Sequence, residues 1–161
     1  MRLLLLLLAL AAMPLGAQTA PPDAPARTDA ERAVEATIAG DGVHVVHFWA
    51  PWCGNSMAEL RAGLYEVVEA HPDVSFTFVT VRNGGETSVS TLRRHGIPER
   101  VAVLAQPPSA RSFLGRPVEW TPTTWVFNRN GKLAYAFNYG EVSNALLTQA
   151  IADAQSDWHH D

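Results

Sequence analysis

Cysteine is almost missing from this chain: Cys53 is the one thiol in 161 residues. A single cysteine excludes an internal disulfide and structural zinc of the multi-cysteine kind. Lysine is equally scarce, with Lys132 alone, and 12 basic against 16 acidic residues leave a net charge of -4. No basic face can be assembled from that set, which argues against nucleic acid as a partner. No phosphate-binding glycine loop, serine-triad pattern or metal-ligand cluster occurs, so neither a cofactor nor a metal is expected. His159-His160-Asp161 can bind a metal weakly, but reads first as a frayed polar terminus. A long apolar run is missing too. Leu3 to Leu15 falls short of the roughly 18–20 residues a spanning helix needs.

What is present begins with that run. Met1-Arg2 is a short positive segment, Leu3 to Leu15 has the length of a secretory core, and small residues follow, with cleavage near Ala17 or Ala20. Residues 1–20 therefore read as a signal peptide. Retention of the segment as an anchor is the second reading, and only then is a membrane a partner. Residues 21–27, with Pro21, Pro22 and Pro25, read as a Pro-rich linker. Residues 28–155 form one domain by the length prior, and 156–161 a polar tail. Export places the chain in a periplasmic compartment where disulfides persist. An odd cysteine there points to intermolecular pairing or a free reactive thiol.

Hydrophobic periodicity organises the domain. Thr28-Asp29-Ala30-Glu31 matches a capping box, and Ala30, Val34 and Ile38 predict a helix ending near Gly40. Val43 to Trp49 predicts a strand, and Met57, Leu60, Leu64, Val67 and Val68 form one helical stripe ending near His71-Pro72. Val74 to Val81 reads as a buried parallel strand. A helix is expected from Glu86 to His95 with Gly96 just past its end, then a short strand from Val101 to Leu104. Gln106-Pro107-Pro108 reads as a turn, and Ser109 to Leu114 as a helical segment closed by Gly115. Thr123–Arg129 and Lys132–Asn138 read as strands of a hairpin joined at Asn130-Gly131, and Leu147, Ala150, Ile151 and Ala154 as a closing helix. The pattern implies an α/β fold with a central mixed β-sheet flanked by helices on both faces.

Cys53 falls where the first strand ends, after Ala50-Pro51-Trp52, and a helix begins. A thiol on a helix N-terminus meets unpaired N–H groups and the positive end of the helix dipole, a setting that lowers cysteine pKa. The bland alternative is a small apolar gap-filler.

The segment Phe48-Trp49-Ala50-Pro51-Trp52-Cys53-Gly54 resembles the active-site segment of thioredoxin-like proteins, whose signature is W-C-x-x-C at this strand-to-helix turn. Trp120-Thr121-Pro122-Thr123 is similar to the loop that carries the family's cis-proline. The Asn130-Gly131 hairpin and closing helix fit the second half of that fold. The material between Asn83 and Trp120, with the leader, resembles exported reductases of the TlpA/ResA type. The likeness spans Val43 to Ala154.

The resemblance implies thiol–disulfide exchange, but the chain departs from it at Ser56, which stands where the family has its second cysteine. Cys53 can attack a disulfide; Ser56 cannot resolve the product, though its hydroxyl can hydrogen-bond the Cys53 thiolate. Three readings follow. Cys53 works as a monothiol resolved by glutathione or another external thiol, or it holds thiol- or disulfide-containing client proteins covalently as an isomerase or escort, or the domain is a non-catalytic binding or adaptor module. By resemblance Pro122 is cis beside Cys53, and the Thr121 backbone pairs with an extended client, with Trp52 as an apolar wall. By alternation His47 shares a face with Val45 and Trp49. It lies where thioredoxins often bury an acid, and is either a proton-transfer group titrating near neutral pH or a core histidine. Trp49 reads as core and Trp120 as core or groove wall. Glu59 and Arg61 are expected to be solvated.

Overall fold

The structure, a computed structural model, describes residues 26–156. The expected signal peptide, most of the linker and the histidine-bearing tail lie outside the described residues. In chain order the elements are α1 (Asp29–Ile38), β1 (His44–Trp49), α2 (Gly54–Arg61), α3 (Leu64–Ala70), β2 (Ser75–Thr80), α4 (Val89–Arg94), β3 (Ala102–Ala105), β4 (Ser112–Phe113), β5 (Arg116–Pro117), β6 (Thr123–Phe127), β7 (Leu133–Asn138) and α5 (Asn144–Gln155). Among the described residues no helix is long and apolar enough to cross a membrane.

Five strands form one sheet in the order β3-β2-β1-β6-β7. β1, β2 and β3 run parallel, and β6 and β7 complete the sheet antiparallel. β1 is central and buried at every position, so its near-continuous apolar sequence has cover on both faces. On one face Val45, Trp49 and Phe78 pack under Leu60, Leu64, Val68, Leu92 and Ile151 of the four later helices. On the other, Val46, Phe48, Val79 and Trp125 pack under Ala30 and Val34 of α1 and under Phe113. This is the thioredoxin-like α/β fold, with helices on both faces of a mixed sheet.

The capping box at Thr28 forms as its spacing implies: the Thr28 hydroxyl accepts from the Glu31 N–H, and the Glu31 carboxylate accepts from the Thr28 N–H at 2.8 Å. Two expectations are corrected. The apolar stripe from Met57 to Val68 is carried by two helices, because Gly63 takes a left-handed conformation at φ +88 between them. Leu60, Leu64, Val67 and Val68 still share one buried face, so the periodicity survives the break. Ser109 to Leu114 is not helical. It contributes β4, which pairs antiparallel with β5 across Leu114-Gly115. Both turn residues have positive φ (49 and 75), as a type I′ hairpin turn requires.

Long-range contacts select that hairpin. Phe113 is fully buried, 5.0 Å from Phe48 between ring centroids. The Leu114 N–H donates to Glu31 at 2.6 Å, and Gln106, itself buried, accepts from the Thr28 hydroxyl and donates to the Ser112 carbonyl. Burial alone would raise the Glu31 carboxyl. The N–H groups of Thr28 and Leu114, the Thr28 hydroxyl and the Arg27 charge outweigh it and hold the pKa below the usual value.

Candidate functional site

β1 ends at Trp49, and the chain turns through Ala50-Pro51-Trp52 so that Cys53 becomes the N-cap of α2. β6 pairs antiparallel with β1, Phe48 opposite Thr123. That register carries the residues just before β6 to the end of β1 where Cys53 sits. The Thr121–Pro122 bond there is cis, and the Cys53 thiol donates to the Thr121 carbonyl at 3.2 Å. Sheet pairing thus brings together Cys53, Thr121 and Pro122, which are far apart in sequence.

Cys53 is half-buried. Desolvation alone would raise its pKa. The hydroxyl of Thr121, the N–H and hydroxyl of Ser56 and the N–H of Asn55 stabilise the thiolate more strongly, and the thiol is held below its ordinary value. Ser56 is fully buried, and its Oγ accepts from the Ala50 N–H at 3.2 Å. That bond uses an oxygen lone pair and leaves the hydroxyl proton to be donated toward sulfur.

Trp52 and Trp120 stand in solvent at 59% and 66% exposure, so Trp120 is surface and not core, whereas Trp49 is fully buried. Thr121 and Pro122 are buried. A pocket of about 430 Å³ beside Thr121 is lined by Asn55, Trp120, Asn138, Tyr139 and Glu141 as well.

His47 faces the helices of the Trp49 side, and is 2% exposed. Its Nδ1 lies 2.9 Å from the hydroxyl of Thr124, its direct cross-strand partner. The expectation that it titrates near neutral pH is corrected: burial pushes its pKa down to about 3, so the ring is uncharged there. Its Nε2 has no hydrogen-bond partner and lies 3.9 Å from the Glu59 carboxylate. With a neutral imidazole this contact is not an ion pair near pH 7.

Glu59 is the second correction. Its side chain is only 18% exposed, and burial pushes its pKa up to about 7. It borders a pocket of about 380 Å³ between the end of α2, Thr124 and the start of α5. Off the apolar stripe of α2, Glu59 looks solvent-facing in sequence. Thr124 and the segment from Val142 to Ala145 line the same pocket, and no local signal announces that.

Arg82 was also illegible. It follows β2 in a left-handed conformation (φ 55). Its carbonyl accepts from the Trp52 indole at 3.0 Å, and its guanidinium donates to the carbonyls of Val118 and Glu119 at 2.5 and 2.8 Å. One residue therefore fastens the turn before Cys53 to the loop before Thr121. Among the described residues no group of three or more His, Cys, Asp or Glu is placed to hold a metal.

No family model matches this sequence, and no curated protein does. Among solved structures, the chain is similar to a DsbF homologue from Corynebacterium diphtheriae, at 23% identity and a TM-score of 0.60, over 73% of this chain and 74% of that one. It is similar to a secreted Mycobacterium tuberculosis disulfide oxidoreductase homologous to E. coli DsbE, at 22% identity and a TM-score of 0.57, over 73% and 84% of the two chains. A thio-disulfide isomerase from Thermus thermophilus matches at 29% identity and a TM-score of 0.53, over 76% of this chain and 84% of that one.

Proposed function

We propose that this chain is an exported, periplasmic thioredoxin-like protein that performs thiol–disulfide exchange through one cysteine. The observation that carries the reading is the half-exposed Cys53 thiol, held below its ordinary pKa by donors from Thr121, Ser56 and Asn55. The likeness to a secreted disulfide oxidoreductase and to a thio-disulfide isomerase supports it, as does the leader expected in residues 1–20. The domain takes residues 28–155, after the 21–27 linker.

In this reading the Cys53 thiolate attacks one sulfur of a client disulfide. A Cys53–client bond forms, the client disulfide breaks, and the second client sulfur leaves as a thiolate with the electron pair. Ser56 steadies the Cys53 thiolate but cannot resolve the adduct. An external thiolate, from glutathione or another thiol, attacks the Cys53 sulfur and releases the client. A second external thiolate then regenerates Cys53, so two external thiols are oxidised as one client disulfide is reduced. Trp52, Thr121 and Pro122 form the wall on which an extended client segment docks. His47, its pKa pushed down to about 3, does not supply the proton transfer expected of it near neutral pH; Glu59, 3.9 Å from its Nε2, is the member of the pair that titrates there.

Ser56 also favours a second reading, in which the same groove serves a non-catalytic binding or adaptor module. Intact-mass measurement after glutathione disulfide treatment, with alkylation across pH, separates the two. The monothiol reading expects a Cys53 adduct and an alkylation midpoint below that of a free cysteine; slow alkylation, an ordinary midpoint and no adduct reject it. Recovery of the same periplasmic partners by wild type and Cys53→Ser would assign binding without the thiol, whereas partners held covalently by wild type alone would support client capture.

A further inference from the structure

We propose that the pocket beside Thr121 is a specificity site for a basic side chain, arginine or lysine, that flanks the reacting cysteine of the client. The proposal rests on the reading that Cys53 attacks an extended client, and adds which clients it selects.

The pocket has room for one long side chain, about 430 Å³, and Thr121, whose carbonyl contacts Cys53, lies in its wall. Two of its walls are exposed aromatics: Trp120 is 66% and Tyr139 47% exposed. Its one ionisable carboxylate is Glu141, and no basic residue lines it. The Asn138 N–H donates to Glu141 Oε2 at 2.5 Å, which fixes the carboxylate at the rim. Glu141 Oε1 makes no hydrogen bond among the described residues, and neither does the Asn55 side chain. Two aromatic side chains, a held carboxylate with a free oxygen and an amide line one acceptor-rich box. A guanidinium or ammonium group satisfies it by cation–π contact and charge-assisted hydrogen bonds. An acidic side chain there meets like charge with no donor cation. The contrast lies in the neighbouring pocket of Val118 and Glu119, which Arg82 and Arg111 line. Cation selection is therefore a property of the Trp120–Glu141 box and not of the whole rim.

Short peptides test this, each with one cysteine activated as its disulfide with thionitrobenzoate and with Arg, Ala or Glu nearby. Attack of the Cys53 thiolate on the peptide sulfur forms the Cys53–peptide bond and expels coloured thionitrobenzoate as the thiolate, and intact mass identifies the adduct. At low salt the Arg peptides should react about fivefold faster than the Glu peptides. The ratio should fall toward one in Glu141→Gln, which keeps an acceptor for the Asn138 N–H, and in Trp120→Ala. Glu69→Gln, the same charge change on α3, should leave it in place. Equal rates for Arg and Glu peptides in wild type overturn the specificity site while leaving the exchange reading intact. An advantage that survives both pocket variants, or falls equally in Glu69→Gln, also overturns it, by assigning the effect to net charge. If no peptide reacts with the folded protein, the exchange reading fails and the specificity site with it.

Discussion

The sulfur of Cys53 lies 3.2 Å from the carbonyl oxygen of Thr121, a residue 68 positions further along the chain. The contact is set by the antiparallel register of β1 and β6, and it makes the acidity of the thiol depend on both loops. Thr121→Val keeps the backbone carbonyl and removes a hydroxyl that stabilises the thiolate. The pH midpoint of Cys53 alkylation should rise measurably above that of wild type. An unchanged midpoint would mean that the Thr121 hydroxyl does not reach the thiolate in solution.

Ser56 has two tasks, and each has its own readout. Ser56→Ala leaves the buried Ala50 N–H without its acceptor, which should cost about 1–3 kcal/mol in urea unfolding. It should also raise the Cys53 midpoint, since a thiolate donor is lost. Ser56→Cys supplies the missing resolving thiol and should bring dithiol reductase activity in a turbidity assay of disulfide reduction. A folded Ser56→Cys protein without such activity would favour the binding-module reading.

Arg82 should matter more than its position after a strand suggests. Arg82→Met removes the guanidinium bonds to Val118 and Glu119, with an expected loss of about 1.5–3 kcal/mol. Amide exchange in residues 118–121 should accelerate more than exchange in β1. Equal acceleration throughout would make Arg82 a general stabiliser and not a local clasp.

Glu59 and His47 should give opposing pH slopes to stability. Glu59 has a folded pKa of about 7, above its ordinary value of 4.5. The fold favours its protonated form, so stability falls as pH rises from about 4.5 to 7. His47 titrates near 3 in the fold against an ordinary 6.5, so its contribution is lost as pH falls from about 6.5 toward 3. Glu59→Gln should match wild type near pH 4 and gain on it by up to about 3 kcal/mol near pH 8. Denaturant titrations at the two pH values check this; a gain that does not change with pH would place the Glu59 carboxyl in water.

Much of this arrangement was legible in local pattern. Alternation along β1 assigns His47 to the face of Val45 and Trp49, and the capping box marks the start of α1, because both depend on neighbours a few residues away. The break at Gly63 lay in plain view as a glycine inside a helical stripe, but the stripe outweighed it. The β4–β5 hairpin was not legible. Its strands are two residues long, and the burial of Phe113 and the bond from Leu114 to Glu31, 83 residues away, select it. Arg82 likewise shows no local signal, since its partners lie 30 to 37 residues away.

By itself the sequence determined the α/β order of elements, the lone thiol at a strand-to-helix junction and the serine that replaces its partner, since composition and periodicity are properties of short stretches. Tertiary structure alone decided which donors surround Cys53, that Glu59 and not His47 titrates near neutral pH, and that Trp120 faces solvent beside Tyr139 and Glu141. Those properties depend on desolvation and hydrogen bonding between segments that only sheet pairing brings together.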